Sequence, residues 1–543
     1  MDRSLHPGLD ESEFDKAVQV NQRHLRSTLK KTYDFIVCGS GSSGSVVARR
    51  LAENPAVSVL LLEAGGSDDV PEVVAASAWP ANLGSNRDWG FVAKANPRVN
   101  GRAMPMNMGK ALGGGSSINA MIWARGHKSD WDYFAEEAAD PAWNYESALG
   151  IYKRIEDWQG EPDPARRGTG GLLYVQPLAD RHAVGQAILE GARSLGIPNY
   201  ADLNGAMMEA EGGSAMVNVR VRDGKRLSIF RTYVYPVMDR PNLTVLTNSL
   251  VTRVRFDGSR ATGIACVLDG REHHFNADRE VVLSLGAINT PKVLMQSGLG
   301  DRNELREFGI PVVGHLPGVG KNLQDHVMAA SCIWEYPSPL PVYDNGAGAM
   351  VVWKSEHDID CPDMQLIHAQ FPFAGPDVAS QYDVPAASWS LFPALLRPKS
   401  VGKLRLTGRG PMDAIEIDAN SLSDPSDMDV IIKCIQLAHD LGNSTALKPF
   451  VKREVMPNDL NRESMEQFIR NSLATLWHQC GTAKMGCDSM SVVDNTLKIY
   501  GVTNLRIADA SIMPRVVTGN TMASCVVIGE RAGQMLGVEH GLG

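Results

Sequence analysis

Cysteine is sparse: eight in 543 residues, with no CxxC pair, which excludes a disulfide framework and a zinc knuckle. No window approaches 18 uninterrupted apolar residues, so a membrane-spanning helix is excluded. Positive charge is also short: 53 Lys+Arg stand against 62 Asp+Glu, a net charge of −9. An acidic balance of this size argues against a nucleic-acid binder, which needs a basic stripe to neutralise phosphates. The first 30 residues lack an apolar signal core, and Asp10, Glu11, Glu13 and Asp15 are out of place in a transit peptide. The expected location is the cytoplasm. What the chain has in excess is glycine: 52 residues, about 10% where roughly 7% is usual. With 43% hydrophobic and 21% charged residues, it can bury a large core in two to four folding units.

Phe14, Val18, Leu25 and Leu29 fall on one helical face, so residues 11–30 are expected to form an amphipathic helix docked on the protein's own surface. Next comes an apolar run of strand formers, residues 33–38. It leads into GSGSSG (Gly39, Ser40, Gly41, Ser42, Ser43, Gly44) and then into a segment with helical periodicity, VVARRLAE. Strand, glycine-rich turn and helix make up a dinucleotide fingerprint, with the helix N-terminus offering free N–H groups to phosphates. A second buried strand, VSVLLL, ends at Glu63–Ala64. Glu63 stands about 20 residues past the turn, where a carboxylate accepts ribose hydroxyls. These residues alone leave FAD and NAD both open.

A second glycine cluster, GKALGGGSSIN, runs from Gly109 to Asn119 between segments that look buried, as expected of backbone pressed against a flat ligand. With this block the chain resembles the glucose–methanol–choline (GMC) family of flavin alcohol oxidoreductases, in its bacterial choline/alcohol dehydrogenase-like branch. A second long motif, GAINTPKVLMQSGLG (Gly286–Gly300), follows the strand VVLSL. GVGKNLQDH (Gly318–His326), LLRPKSVGKLRL (Leu395–Leu406) and the block Trp477–Leu536 also look like family segments. The resemblance implies an α/β (α+β overall) fold: a Rossmann-like FAD-binding domain and a second, substrate domain built on an antiparallel sheet. The implied boundaries are an N-terminal helical extension at 1–32, FAD-binding stretches at 33–165, 220–325 and 476–543, and substrate-binding stretches at 166–219 and 326–475.

FAD is the implied cofactor. Beyond the first turn and Glu63–Ala64, the resemblance places it against Trp89, Gly109, Leu112, Gly113, Gly114, Ser116, Asn119, Ala120 and Met121. Adenine contacts are implied near Val251, and flavin contacts at Asp509, Ala510, Asn520, Thr521 and Met522. Family members that bind FAD covalently carry a histidine before the second glycine cluster. Met106 stands there in this chain, so FAD is expected to be held non-covalently.

Two residues carry the expected chemistry. His478, in WHQCGTAKMG, fills the family's catalytic histidine position, and Asn520, in GNTMAS, fills that of its partner. Oxidising an alcohol removes a proton from oxygen and a hydride from carbon. An imidazole with a pKa around 6.5 can accept the proton, and an amide can donate to the same oxygen and stabilise developing alkoxide. The helical run 520–536 would aim its positive dipole end at the flavin. Met364–Phe371 and Lys403–Gly408 alternate as half-buried strands would, the family's counterpart being the sheet that roofs the flavin. The Pro- and aromatic-rich segment 371–398 suggests a lid or a surface excursion, and His368, Gln365, Phe371 and Trp389 are candidates for lining the site. The expected function is FAD-dependent oxidation of a small-molecule CH–OH substrate to an aldehyde or ketone, with oxygen or a quinone-type carrier as electron acceptor. A lyase that keeps FAD as structural filler, or flavin binding without turnover, are the alternatives.

Overall fold

The apolar run after residue 32 forms a parallel strand, β1 (Thr32–Cys38). It lies between β2 (Val59–Leu62) and the far half of the long strand Arg271–Leu283. Both faces of such a strand are covered, which is why it reads as an unbroken hydrophobic stretch rather than an alternation. The computed structural model describes residues 11–178 and 182–542. Helix α2 (Ser42–Ala52) makes the crossover from β1 to β2. Leu243–Leu246 extends the sheet beyond β2, and Leu505–Ile507 pairs in parallel with Val281–Leu283. The near half of Arg271–Leu283 turns antiparallel and joins the meander Ser249–Asp257 and Arg260–Leu268. One sheet thus gathers strands from three distant parts of the chain, and the C-terminal helix α3 (Met522–Glu539) packs against α2.

A second, antiparallel sheet runs in the order 453–456, 332–335, 388–395, 364–369, 347–353, 213–216. Helices Pro425–Gly442 and Ala183–Ser194 cover one of its faces. The opposite face carries Ile367, Ala369 and Phe392 toward Trp79 and Met121. Met364–Ala369 is therefore buried on both sides, not half-buried as its pattern suggests, because helices cap the face expected to meet solvent. Lys403–Leu406 does not join this sheet. It forms a two-stranded hairpin with Ile415–Asp418, whose apolar residues enter the core of the first sheet. The segment 371–398 is also more ordered than expected. It contains a short helix, Pro376–Tyr382, and the buried central strand Ser388–Leu395, so only its first part connects strands.

Helix α1 (Glu11–Ser27) docks on the protein's own surface, as its apolar stripe predicts. Phe14 and Val18 are buried, and the Asn21 and Gln22 amides donate to the carbonyls of Met238 and of Arg240 or Leu243 at 2.7–2.9 Å. Among the described residues no helix is long and apolar enough to cross a membrane.

Candidate active site

The two glycine clusters form one wall. Gly41 caps α2 at φ −64°, and a Cβ on Gly114 would lie 2.9 Å from the Gly41 Cα. A Cβ on Gly44 would lie 1.9 Å from the Gly39 carbonyl oxygen, whereas one on Gly41 would meet nothing within 4 Å. Gly44 is thus required by helix–strand packing, and Gly41 leaves its space to the cleft. Glu63 sits beside the turn, its carboxylate accepting from the Ser40 N–H (3.1 Å), the Ser40 hydroxyl (2.7 Å) and the Gly65 N–H (2.9 Å). Burial raises its pKa. Under the second cluster, the buried Arg226 donates to the carbonyl oxygens of Asn119 (2.6 Å) and Val73 (2.8 Å). Desolvation pulls its pKa down to about 9.

This wall borders a cleft of about 1770 Å³, mouth included. His478 and Asn520 face each other across part of it, with the Asn520 Nδ2 3.2 Å from the His478 Nε2 and the Asn520 Oδ1 buried without a partner. Burial pushes the His478 imidazole down to about 4, so at neutral pH the ring is uncharged and one of its nitrogens presents a lone pair. Its other nitrogen, Nδ1, lies 2.8 Å from the His326 Nδ1, with the two rings edge to face. Asp325 braces the segment that carries the histidine. It accepts from the His478 N–H (2.8 Å), the Gln479 amide (2.9 Å) and the Thr475 hydroxyl. Desolvation pushes the Asp325 carboxyl up to about 7. Between these contacts Trp477 adopts φ +62°, a left-handed conformation that costs a bulky residue on the order of 1–3 kcal/mol. Its N–H donates to the Thr475 Oγ1 and its indole N–H to the Asn107 Oδ1.

The structure brings most expected positions to this cleft. From the first half of the chain Gly39, Gly41, Ser42, Ser43, Glu63, Ala64, Trp89, Gly109, Ser116, Asn119, Ala120 and Met121 line it. From the C-terminal block come His478, Asp509, Ala510, Asn520, Thr521 and Met522. Six expected positions do not reach the wall. Ser40 is turned onto Glu63, Gly44 is packed against Gly39, and Leu112 sits in the core. Gly113 and Gly114 are consumed by the turn itself, and Val251 is buried in the meander opposite Cys266. Asp509 has its carboxylate committed to the Gly286 and Ser511 N–H groups. Thr521 caps α3 without a side-chain hydrogen bond.

Of the four candidates from the middle of the chain, Phe371 lines the cleft. His368 borders it, but its ring faces the helix-covered side, edge-on to Trp389 and 5.6 Å from His182. Gln365 and Trp389 are buried elsewhere, Trp389 stacked on Trp334. Sequence reasoning missed Trp79, Asn107, Asn345, Phe392 and the Ser284–Ala287 turn, all lining residues, and assigned no role to Asp325 or His326. The only signals for these last two were their place at the end of GVGKNLQDH and the turn's place at the start of GAINTPKVLMQSGLG.

The walls fit a bound flavin dinucleotide. The open space at Gly41, the α2 N-terminus with Ser42 and Ser43, and the remaining lone pairs of Glu63 suit a pyrophosphate and its ribose. The orphaned Asn520 Oδ1 and the N-terminus of α3 line the same cleft, with the first turn of α3 held to α2 by the Ser43 hydroxyl, which donates to the Cys525 carbonyl at 2.7 Å.

Family models described as GMC oxidoreductase match residues 33–328 and 398–529. The chain is 34% identical to the mitochondrial choline dehydrogenase of Mus musculus, over 95% of its own length and 91% of that protein's. It is 33% identical to the alcohol dehydrogenase [acceptor] of Pseudomonas putida, over 93% and 95% of the two chains. Its structure superposes on pyridoxine 4-oxidase from Mesorbium loti with a TM-score of 0.87 at 29% identity, covering 92% of this chain and 98% of that one. It also shares its fold with formate oxidase, at a TM-score of 0.85 and 24% identity over 94% and 99%. The chain therefore belongs to the GMC oxidoreductase family, enzymes that use FAD to oxidise CH–OH groups.

Proposed function

We propose that this protein oxidises an uncharged alcohol to an aldehyde or ketone, with His478 as the base and Asn520 as the group that holds the substrate oxygen. The observation that carries this reading is the His478–Asn520 pair, 3.2 Å apart in the same cleft as both glycine turns. An incoming hydroxyl replaces this direct contact and bonds to both groups. Its proton goes to the His478 Nε2, and the Asn520 amide donates to the oxygen as negative charge builds on it. FAD, when bound, supplies the acceptor for the hydride leaving the carbinol carbon. Burial keeps His478 neutral until the substrate proton arrives.

The substrate walls support the uncharged class. Among the described lining residues the only acidic side chains are Glu63 and Asp509, and both are bonded to backbone N–H groups of glycine turns. Trp79, Phe371, Phe392 and Trp477 offer aromatic surface, and Asn107 and Asn345 offer amides. An ammonium head would find cation–π attraction of about 0.5–2 kcal/mol but no counter-charge to offset its desolvation. Oxygen or a quinone-type carrier is the proposed electron acceptor, and FAD is proposed to be held without a covalent bond.

The test is an anaerobic panel of aromatic, aliphatic and cationic alcohols read by flavin absorbance. Bleaching by uncharged alcohols, with choline much poorer, is expected, and reoxidation by air or by a quinone-type dye then identifies the acceptor. Release of an aldehyde without bleaching indicates a lyase, and no response to any alcohol removes the proposal.

A further inference from the structure

Both ring nitrogens of His478 are engaged, and the two contacts are not independent. The Asn520 Nδ2 can only donate, so the nitrogen it approaches at 3.2 Å, the His478 Nε2, must present a lone pair. A neutral imidazole carries one N–H, which places the proton of His478 on Nδ1. That atom is 2.8 Å from the Nδ1 of His326, and two lone pairs, or two N–H groups, cannot face each other at that distance. The His326 Nδ1 must then be the acceptor, with the His326 proton on Nε2. The carbonyls of Leu396 and Val517 lie against that ring, although the buried Nε2 makes no hydrogen bond of its own. His326 is fully buried, and its edge-to-face packing on His478, with centroids 5.0 Å apart, admits little rotation.

We infer that His326 is a positioning residue for the oxidation: it accepts the Nδ1–H of His478 and so holds that ring in the tautomer whose Nε2 lone pair faces the substrate hydroxyl. This inference rests on the reading of His478 as the base. When the alcohol O–H breaks, its proton adds to the His478 Nε2 and the ring becomes an imidazolium with an N–H on each nitrogen. The Nδ1–H is then a charged donor to a neutral acceptor, a bond roughly twice as strong as the neutral one. His326 thereby stabilises the charge that the base acquires as well as fixing its resting tautomer. A histidine whose ring is oriented by a second buried group is a recurrent arrangement for general bases. Here the orienting group is itself an imidazole, which can accept without bringing a negative charge into the cleft. The charged groups facing the pair are Asp325, which bonds the His478 backbone, and Arg397. Arg397 opposes protonation of His326 and is itself paired with Asp130 at 2.6 Å.

Two measurements on the FAD-loaded protein test this. The first is a two-bond ¹H–¹⁵N correlation spectrum of protein labelled at histidine, with the His478 ring assigned by its loss in His478→Gln. It should show His478 protonated at Nδ1, and protonation at Nε2 overturns the inference. The second is the rate of anaerobic flavin reduction against pH in His326→Ala and His326→Asn. His326→Ala should reduce its flavin about 10–100-fold more slowly. Its acid limb should move to lower pH, because the imidazolium loses its acceptor. His326→Asn keeps an acceptor oxygen at that place and should recover most of the rate. A wild-type rate and pH profile in His326→Ala overturns the inference. So does His326→Asn being no better than His326→Ala while keeping the flavin spectrum and melting temperature. If His478→Gln itself reduces flavin normally, the reading of the base fails. If His478→Gln is inert and His326→Ala is indifferent, only the role of His326 fails.

Discussion

Gly41 and Gly44 lie three residues apart in one turn, yet the structure gives them different reasons to be glycine, and a pair of alanine substitutions separates those reasons. At Gly44 a Cβ would come 1.9 Å from the Gly39 carbonyl oxygen and 3.0 Å from the Ser284 Cβ. Real contacts of this kind stay above about 3.0 Å, so α2 must withdraw from β1 by roughly 1 Å in a tightly packed interior. Overpacking of that kind costs about 1–3 kcal/mol. Gly44→Ala should therefore lower the stability of the apoprotein itself. At Gly41 the backbone already has φ −64°, which alanine adopts, and the added methyl meets no protein atom within 4 Å. Gly41→Ala should leave the apoprotein as stable as wild type, or more stable by up to about 1 kcal/mol through a less flexible unfolded chain. The methyl instead occupies space that the cofactor needs. A loss of about 1–3 kcal/mol corresponds to roughly 10–100-fold weaker FAD binding. The assays are thermal melting of the flavin-free protein and titration of each apoprotein with FAD. The reasoning is refuted if Gly41→Ala destabilises the apoprotein as much as Gly44→Ala does, or if it binds FAD as tightly as wild type.

The remaining predictions concern the carboxylate, the base and the cofactor link. Glu63→Ala should weaken FAD retention and also destabilise the flavin-free protein by about 1–3 kcal/mol, because Ser40 and Gly65 lose their acceptor; an apoprotein melting like wild type contradicts this. His478→Ala should keep its flavin yet reduce it about 10²–10⁴-fold more slowly, as read by anaerobic stopped-flow mixing with an alcohol that bleaches the wild type. The His478 imidazole is depressed to about 4 in the folded protein, against about 6.5 unfolded. Below pH 6.5 the unfolded chain takes up a proton that the native state refuses, so wild-type stability falls as pH drops from about 6.5 to about 4, by on the order of 3 kcal/mol in all. His478→Gln should accordingly gain melting temperature relative to wild type at pH 5 compared with pH 7.5, and a constant difference between the two proteins refutes the assignment. Acid denaturation should release all flavin into solution; flavin left on the polypeptide contradicts the non-covalent reading drawn from Met106.

Much of this molecule is legible in one dimension because its chemistry is local. The β1–turn–α2 unit is set by an apolar run, three spaced glycines and a helix start within twenty residues. Its hydrogen bonds and close contacts form mostly among neighbours in the chain or in the next strand, and the position of Glu63 follows from the length of the crossover. The His478 and Asn520 positions were readable as parts of long motifs. Other features had no local signature. Leu112 stands inside the second glycine cluster, yet its side chain packs in the core, and the side chain of Val251, near which the resemblance implies backbone contacts to adenine, is also buried. Lys403–Leu406 has the same alternation as a strand of the large sheet, and only the packing of its apolar face decides that it joins a hairpin on the other core. Above all, Asp325 and His326 precede His478 by some 150 residues. No periodicity or spacing connects them, and their meeting depends on two segments crossing in space beside Trp477. The sequence by itself marked a strand–turn–helix unit with its following carboxylate, and one histidine in a long motif, as candidates to hold a dinucleotide and accept a proton. Only the tertiary structure decided that the His478 Nε2 faces Asn520 and its Nδ1 faces His326, because that is a matter of which distant side chains are brought against the ring.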